Sequence, residues 1–193
     1  MFNVYDFVVP DFAGADRDMM DVLDMLTGPL GESHTYMGIL AEDDAARAWV
    51  LSIIARDPKM VSYLSYLIRS RPDQEARVEV EAWDIDANGH SGLGVHTDGD
   101  NGGQQITVCV YPLVPGRDPW TGGELMVAKE GAQIDSRNPD FADTRSWLAV
   151  DTAPTAKSWR VVCFTDDHFH TPLKSTGGDT RRCVIFHAGY PYI

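Results

Sequence analysis

The sequence is short of the features that mark several large classes of function. It has only three cysteines in 193 residues, Cys109, Cys163 and Cys183, each alone in an apolar run. An odd, widely spaced set excludes a disulfide framework and a CxxC zinc knot, and reads as reduced core thiols. Basic residues are few: 16 Lys and Arg stand against 29 Asp and Glu, for a formal net charge of −13. The basic clusters are as short as Arg69-Ser70-Arg71 and Arg181-Arg182. The stripe that a phosphate backbone requires is missing, so nucleic acid is not an expected partner. No apolar run approaches the ~20 residues of a membrane span, so no membrane is expected either. The opening MFNVYDFVVPDF lacks the basic region of a signal peptide, and a reducing cytoplasm is the expected compartment. The dense histidine patterns of zinc hydrolases, such as HExxH, are also absent.

What is present suits one domain, 1–193, with one core. The first 75 residues are expected to be mainly helical. RDMMDVLDML carries an apolar stripe that ends at Gly28-Pro29, and AEDDAARAWVLSIIARD ends at Pro58. KMVSYLSYLIRS follows, with Met60, Tyr63, Leu64, Tyr66 and Leu67 as a core-facing stripe. From residue 76 the period changes to two. Strands are expected at 77–83, 105–113, 124–128, 146–150, 159–164 and 182–186. Turn signals separate them, at Asn88-Gly89, Pro115-Gly116, Thr121-Gly122-Gly123 and Gly177-Gly178-Asp179. Short strands with no helix between them suggest an antiparallel barrel or double-sheet jelly roll. The fold class expected is α+β, mostly β, with the N-terminal helices packed on one sheet.

The stretch GVHTDGDNGG places His96 and Asp98 two residues apart among glycines. On a strand, such residues project the same way, so an imidazole nitrogen and a carboxylate oxygen can take adjacent positions on one ion. A third ligand, a histidine, would complete a 2-His-1-carboxylate face. The C-terminal quarter offers two, His168 and His170. After its Gly-Gly turn the next strand opens with Arg181-Arg182. A guanidinium at the mouth of a barrel is costly to bury unpaired, and its fork fits a carboxylate. An anionic ligand in the mouth is therefore expected.

In combination these residues resemble the iron(II)- and 2-oxoglutarate-dependent oxygenases. The resemblance rests on Gly94-Val-His96-Thr-Asp98, on Trp120-Thr-Gly-Gly-Glu-Leu125, which is similar to the W-x-GGEL turn of prolyl-hydroxylase-like members, and on Phe164, His170 and Arg181. It covers roughly residues 79 to 187. It implies a double-stranded β-helix (jelly roll) with iron at its mouth, held by His96, Asp98 and one late histidine. The spacing of His170 to Phe164 and Arg181 resembles family members, including the phytanoyl-CoA-hydroxylase type. His168, with Pro172 four residues on, resembles the H-x-x-x-P of prolyl-hydroxylase types. Arg181 would clasp the distal carboxylate of 2-oxoglutarate, with Arg182 the alternative if His168 is the ligand. Thr107 and Tyr111 share a strand face and are candidate hydrogen-bond partners of that cosubstrate, alongside a simpler role in packing.

The implied activity is oxidation of an unactivated C–H bond with O2, hydroxylation first, with ring closure, desaturation or epoxidation as variants. Halogenating members carry Gly or Ala at the carboxylate position, so Asp98 argues against halogenation. A small molecule is the expected substrate, tilted by the acidic balance toward a cationic one such as an amino acid or amino sugar. A peptidyl hydroxylase and a non-catalytic, cupin-like metal-binding protein are the alternatives. His34 reads as a surface residue, His90 as a loop residue near the mouth, and His187 as a core or surface group at the far end of the last strand. Trp83 and Trp159 read as packing, and Gly116–Trp120 with Gly131–Thr144 as a lid.

Overall fold

The period-two alternation from Arg77 becomes the strand Arg77–Ile85 in a computed structural model of the chain. The structure describes residues 1–8, 36–39, 44–85, 94–99, 104–114, 116–155, 158–178 and 181–190. In chain order the elements are β1 (Phe2–Val8), β2 (Tyr36–Ile39), α1 (Asp44–Ile54), α2 (Pro58–Ser70), β3 (Arg77–Ile85), β4 (Gln104–Tyr111) and β5 (Thr121–Gly122). They continue with β6 (Leu125–Ala128), β7 (Trp147–Val150), β8 (Ser158–Thr165), β9 (His170–Pro172), β10 (Ser175–Gly177) and β11 (Arg181–Tyr190).

The strands form a six-stranded antiparallel sheet, ordered β1-β8-β4-β11-β3-β2, and a three-stranded one, ordered β7-β6-β9. An isolated bridge between His96 and His170 extends the smaller sheet by one segment. From β3 onward the chain alternates between the two: β3 large, the His96 segment small, β4 large, β6 and β7 small, β8 large, β9 small, β11 large. This alternation is the winding of a double-stranded β-helix. The sheets face one another across Cys109, Tyr111, Val162, Phe164 and Cys183 on one side and Leu125, Val127 and Val150 on the other.

The outer face of the large sheet packs under the helices. Trp49, Val50, Ile53 and Ile54 of α1 and Met60 of α2 share a core with Val78, Val80, Val108, Val110, Val161, Val184 and Phe186. Pro58 does not simply break a helix. It sits in the first turn of α2, where its missing N–H costs nothing, while Asp57 caps the helix by accepting from Lys59 N at 2.8 Å. Tyr66 departs from the expected stripe and is exposed, whereas Tyr63 reaches back to donate to Asp166 Oδ1 at 2.6 Å. Among the described residues, no helix is long and apolar enough to cross a membrane.

The N-terminal expectation needs correcting. Residues 2–8 are not helical but form the edge strand β1, paired along its length with β8. Residues 36–39 likewise pair with β3. Both strands extend the large sheet beyond its core, and their partners lie far along the chain, so local periodicity does not signal them. The expected helix RDMMDVLDML, with His34 and His90, lies outside the described residues. Thr121-Gly122, expected as part of a turn, pairs with β10 as a short strand. Trp120 is buried rather than part of a lid, its indole donating to Thr152 Oγ1 at 3.2 Å.

Candidate metal centre

Three of the candidate side chains meet at the mouth of the barrel. The backbones of His96 and His170 exchange two hydrogen bonds, His96 N to His170 O at 3.2 Å and His170 N to His96 O at 2.9 Å. That pairing sets the two rings side by side, with centroids 4.3 Å apart. Asp98 lies two residues beyond His96. Its Oδ1 is 3.6 Å from His170 Nε2 and 3.9 Å from His96 Nε2. One donor atom from each residue lies within 4.8 Å of the other two.

Each donor is held from behind. His96 Nδ1 is 2.8 Å from Gly94 O, and His170 Nδ1 is 3.0 Å from His168 O. A carbonyl only accepts, so each Nδ1 keeps its proton and each Nε2 offers a lone pair to the centre. The Thr107 hydroxyl donates to Asp98 Oδ2, leaving Oδ1 for the centre. Gly99 N donates to Asp166 O at 3.1 Å and fixes the chain beyond Asp98. The Phe164 ring, 4.6 Å from that of His170, closes one side with apolar surface. Burial lowers the proton affinity of His170, against the pull of the Asp98 charge, and so favours the neutral imidazole that binds metals.

Two imidazoles and one carboxylate converging on one point form the donor set of a non-haem iron(II) site. Neighbouring ligands on an ion with bonds near ~2.1 Å sit roughly 3 Å apart. Both His–Asp separations are within about 1 Å of that, so the residues fit such an ion.

The geometry separates the paired alternatives. His168 lies outside the cluster. Its Nδ1 is 3.0 Å from Asp167 Oδ1, and its Nε2 is 3.5 Å from the N-terminal amine of Met1. Arg182 is buried on the side of β11 that packs under the helices with Val184 and Phe186. Arg181 shares the interior side with Cys183.

Arg181 is 2% exposed, and its Nη1 donates to Gly123 O at 2.8 Å and Leu173 O at 3.3 Å. Its Nε is buried without a hydrogen-bond partner among the described residues, as is the hydroxyl oxygen of buried Ser175. The two flank Gly123, where a Cβ would lie 2.9 Å from Ser175 Oγ and 3.1 Å from Arg181 Nη1. Gly123 has a φ of 71°, so glycine is favoured there on backbone grounds as well. Each buried donor left unmatched costs ~1–3 kcal/mol, and one anion would satisfy both. Tyr111 stands close by. Burial pushes its phenol far up against the opposing Arg181 charge, so it keeps its proton and can donate. This cradle fits a carboxylate.

Sequence reasoning missed part of the setting. β11 runs on to Tyr190, so His187 sits mid-strand rather than at a far end. Its Nδ1 accepts from Gln105 Nε2 at 2.7 Å and lies 3.4 Å from the Thr107 hydroxyl that holds Asp98. The signal available was the odd-numbered face that His187 shares with Arg181. Ser175 gave no signal, because its place depends on the β5–β10 pairing.

No family model matches the chain, and no curated protein matches it. Among solved structures it is similar to a prolyl hydroxylase from Trichoplax adhaerens in complex with a hypoxia inducible factor oxygen degradation domain peptide. That match has 14% identity and a TM-score of 0.49, over 98% of this chain and 83% of that one. A 2OG-Fe(II) oxygenase family oxidoreductase from Burkholderia pseudomallei matches at 13% identity and a TM-score of 0.45, over 97% and 84%. A Pseudomonas putida prolyl-4-hydroxylase matches at 12% and 0.47, over 99% and 92%. Likeness at these values carries no argument about activity, and the chemistry is read from this chain's own side chains.

Proposed function

We propose that the protein is an iron(II)- and 2-oxoglutarate-dependent oxygenase that oxidises an unactivated C–H bond of a small molecule, hydroxylation being the principal outcome. The observation that carries this reading is the convergence of His96 Nε2, His170 Nε2 and Asp98 Oδ1, each anchored at its other polar atom. His96, Asp98 and His170 would hold the iron, and bound iron with 2-oxoglutarate and O2 supplies the oxidising chemistry. The chain's part is to bind, orient and exclude. Arg181 Nε, Ser175 Oγ and the Tyr111 hydroxyl would hold the distal carboxylate of the cosubstrate. Thr107 fixes the angle of Asp98. Phe164, Val162 and Leu125 keep the interior dry.

Titrating metal-free protein with iron(II) and then 2-oxoglutarate, without oxygen, tests the reading through the visible metal-to-ligand charge-transfer band. The band is expected in the wild type and in His168→Ala. It is expected to be lost in Asp98→Ala and His170→Ala. In Arg181→Ala it should require at least ~30-fold more 2-oxoglutarate, the lower bound for removing one partner of a buried charge pair. A wild-type protein that gives no band at any cosubstrate concentration is not an oxygenase of this kind.

A further inference from the structure

The barrel wall beside the centre carries a charged pair that the metal and cosubstrate do not use. His187 of β11 pairs with Glu79 of β3 on one side and with Thr107 of β4 on the other. Directly paired residues of an antiparallel sheet project to the same face. Thr107 projects toward the centre, because it holds Asp98. Glu79 therefore faces the same mouth, two strands away, about 10 Å between Cα atoms. Its neighbours Val78 and Val80 pack on the opposite face, under the helices. Arg77 lies two residues from Glu79 on the same face, one step further toward the rim.

The Glu79 side chain is only 16% exposed, and its Oε1 is buried with no hydrogen-bond partner among the described residues. The Arg77 Nη1 stands 3.9 Å away, too far to donate, on a side chain 39% exposed. The two charges thus form a loose ion pair with no hydrogen bond between them. A carboxylate oxygen withdrawn from water without a donor is costly, so it awaits one. The ammonium nitrogen and the carboxylate oxygens of an α-amino acid lie roughly 2.7–3.6 Å apart by standard bond lengths. The longer of these separations approaches the 3.9 Å between Arg77 Nη1 and Glu79 Oε1.

Resting on the oxygenase reading above, we propose that Arg77 and Glu79 form a subsite for a zwitterion, and that the substrate is a free α-amino acid. Glu79 accepts from the ammonium and Arg77 donates to the carboxylate. This sets the amino-acid side chain toward the metal. A residue inside a peptide carries neither charge, so the same pair rejects peptides.

The test uses protein loaded anaerobically with iron(II) and 2-oxoglutarate. It is mixed with each proteinogenic amino acid, its N-acetyl form, its carboxamide form and a proline-containing peptide. Two readouts are taken: the shift of the charge-transfer band, and succinate formed after oxygen is admitted. At least one free amino acid should shift the band and drive succinate formation. Blocking either charged end should lower kcat/KM about 100-fold. Glu79→Gln should cost the free amino acid about 100-fold while leaving its N-acetyl form unaffected. Arg77→Met should do the same with respect to the carboxamide form. Both variants should keep the band given by iron and 2-oxoglutarate alone. The subsite is overturned if either variant turns over the best amino acid as the wild type does, if blocked forms or the peptide are preferred, or if no free amino acid acts. A wild type without the initial band overturns the oxygenase reading itself, and the subsite with it.

Discussion

Thr107 spends its one hydroxyl proton on Asp98, which leaves the other carboxylate oxygen for a metal. Valine in its place keeps the shape and removes the donor. Thr107→Val should weaken iron(II) binding about 10–100-fold, as loss of such supporting bonds does at other metal sites. Competition against a coloured chelator would measure it, and unchanged affinity would show that Asp98 needs no such support. The residue scale is also where the sequence was most legible. His96, Asp98, His170 and Arg181 are chemically conspicuous, and the period-two rule is enough to propose that the first two share a face. His187, Gln105 and Ser175 are ordinary residues until strand register gives them neighbours. Register is a long-range property that no local pattern encodes.

Gly178 follows strand β10, three residues before Arg181. It has a φ of 84°, and a Cβ there would come within 2.5 Å of both Pro119 O and Trp120 Cα. Both contacts are backbone, so neither can rotate away. Gly178→Ala should destabilise the protein by about 2 kcal/mol or more, adding a left-handed conformation to a steric clash. Denaturant melts would show the loss, and 2-oxoglutarate affinity should fall with it while iron(II) affinity holds. A variant with wild-type stability would mean that the backbone at Gly178 gives way freely. At this scale, the strands from β3 onward were legible to within a few residues where alternation is clean, as in Arg77–Trp83. β1 and β2 were not. They lie at the sheet's two edges, and they form by pairing with β8 and β3, far along the chain.

Across the whole molecule, the three thiols share one condition. Cys109, Cys163 and Cys183 are all free and buried. Burial pushes Cys163 up to about 12, and a hydrogen bond to Cys183, then burial, holds Cys109 well above the usual thiol range. The thiolate fraction of Cys109 and Cys163 near neutral pH is therefore negligible. A colorimetric thiol reagent should find no reactive cysteine in the native protein and three in concentrated guanidinium. Fast reaction of any one in the native state would show that the barrel interior opens. The burial of these thiols was legible in the sequence, because each cysteine stands in an apolar run; strand spacing pointed to an antiparallel barrel or a double-sheet jelly roll, and the two sheets bear out the second. The pairing order of the sheets had to come from the structure.

The two backbone hydrogen bonds between His96 and His170 join the strand segment before β4 to the one after β8. Those segments are brought together only when the chain has wound through both sheets. An unfinished chain offers an ion one histidine and one carboxylate, a weak and transient grip. A closed barrel offers three donors already aimed. Metal loading is thus a certificate of completed assembly: the ion selects chains whose ends have met, and once bound it resists their parting.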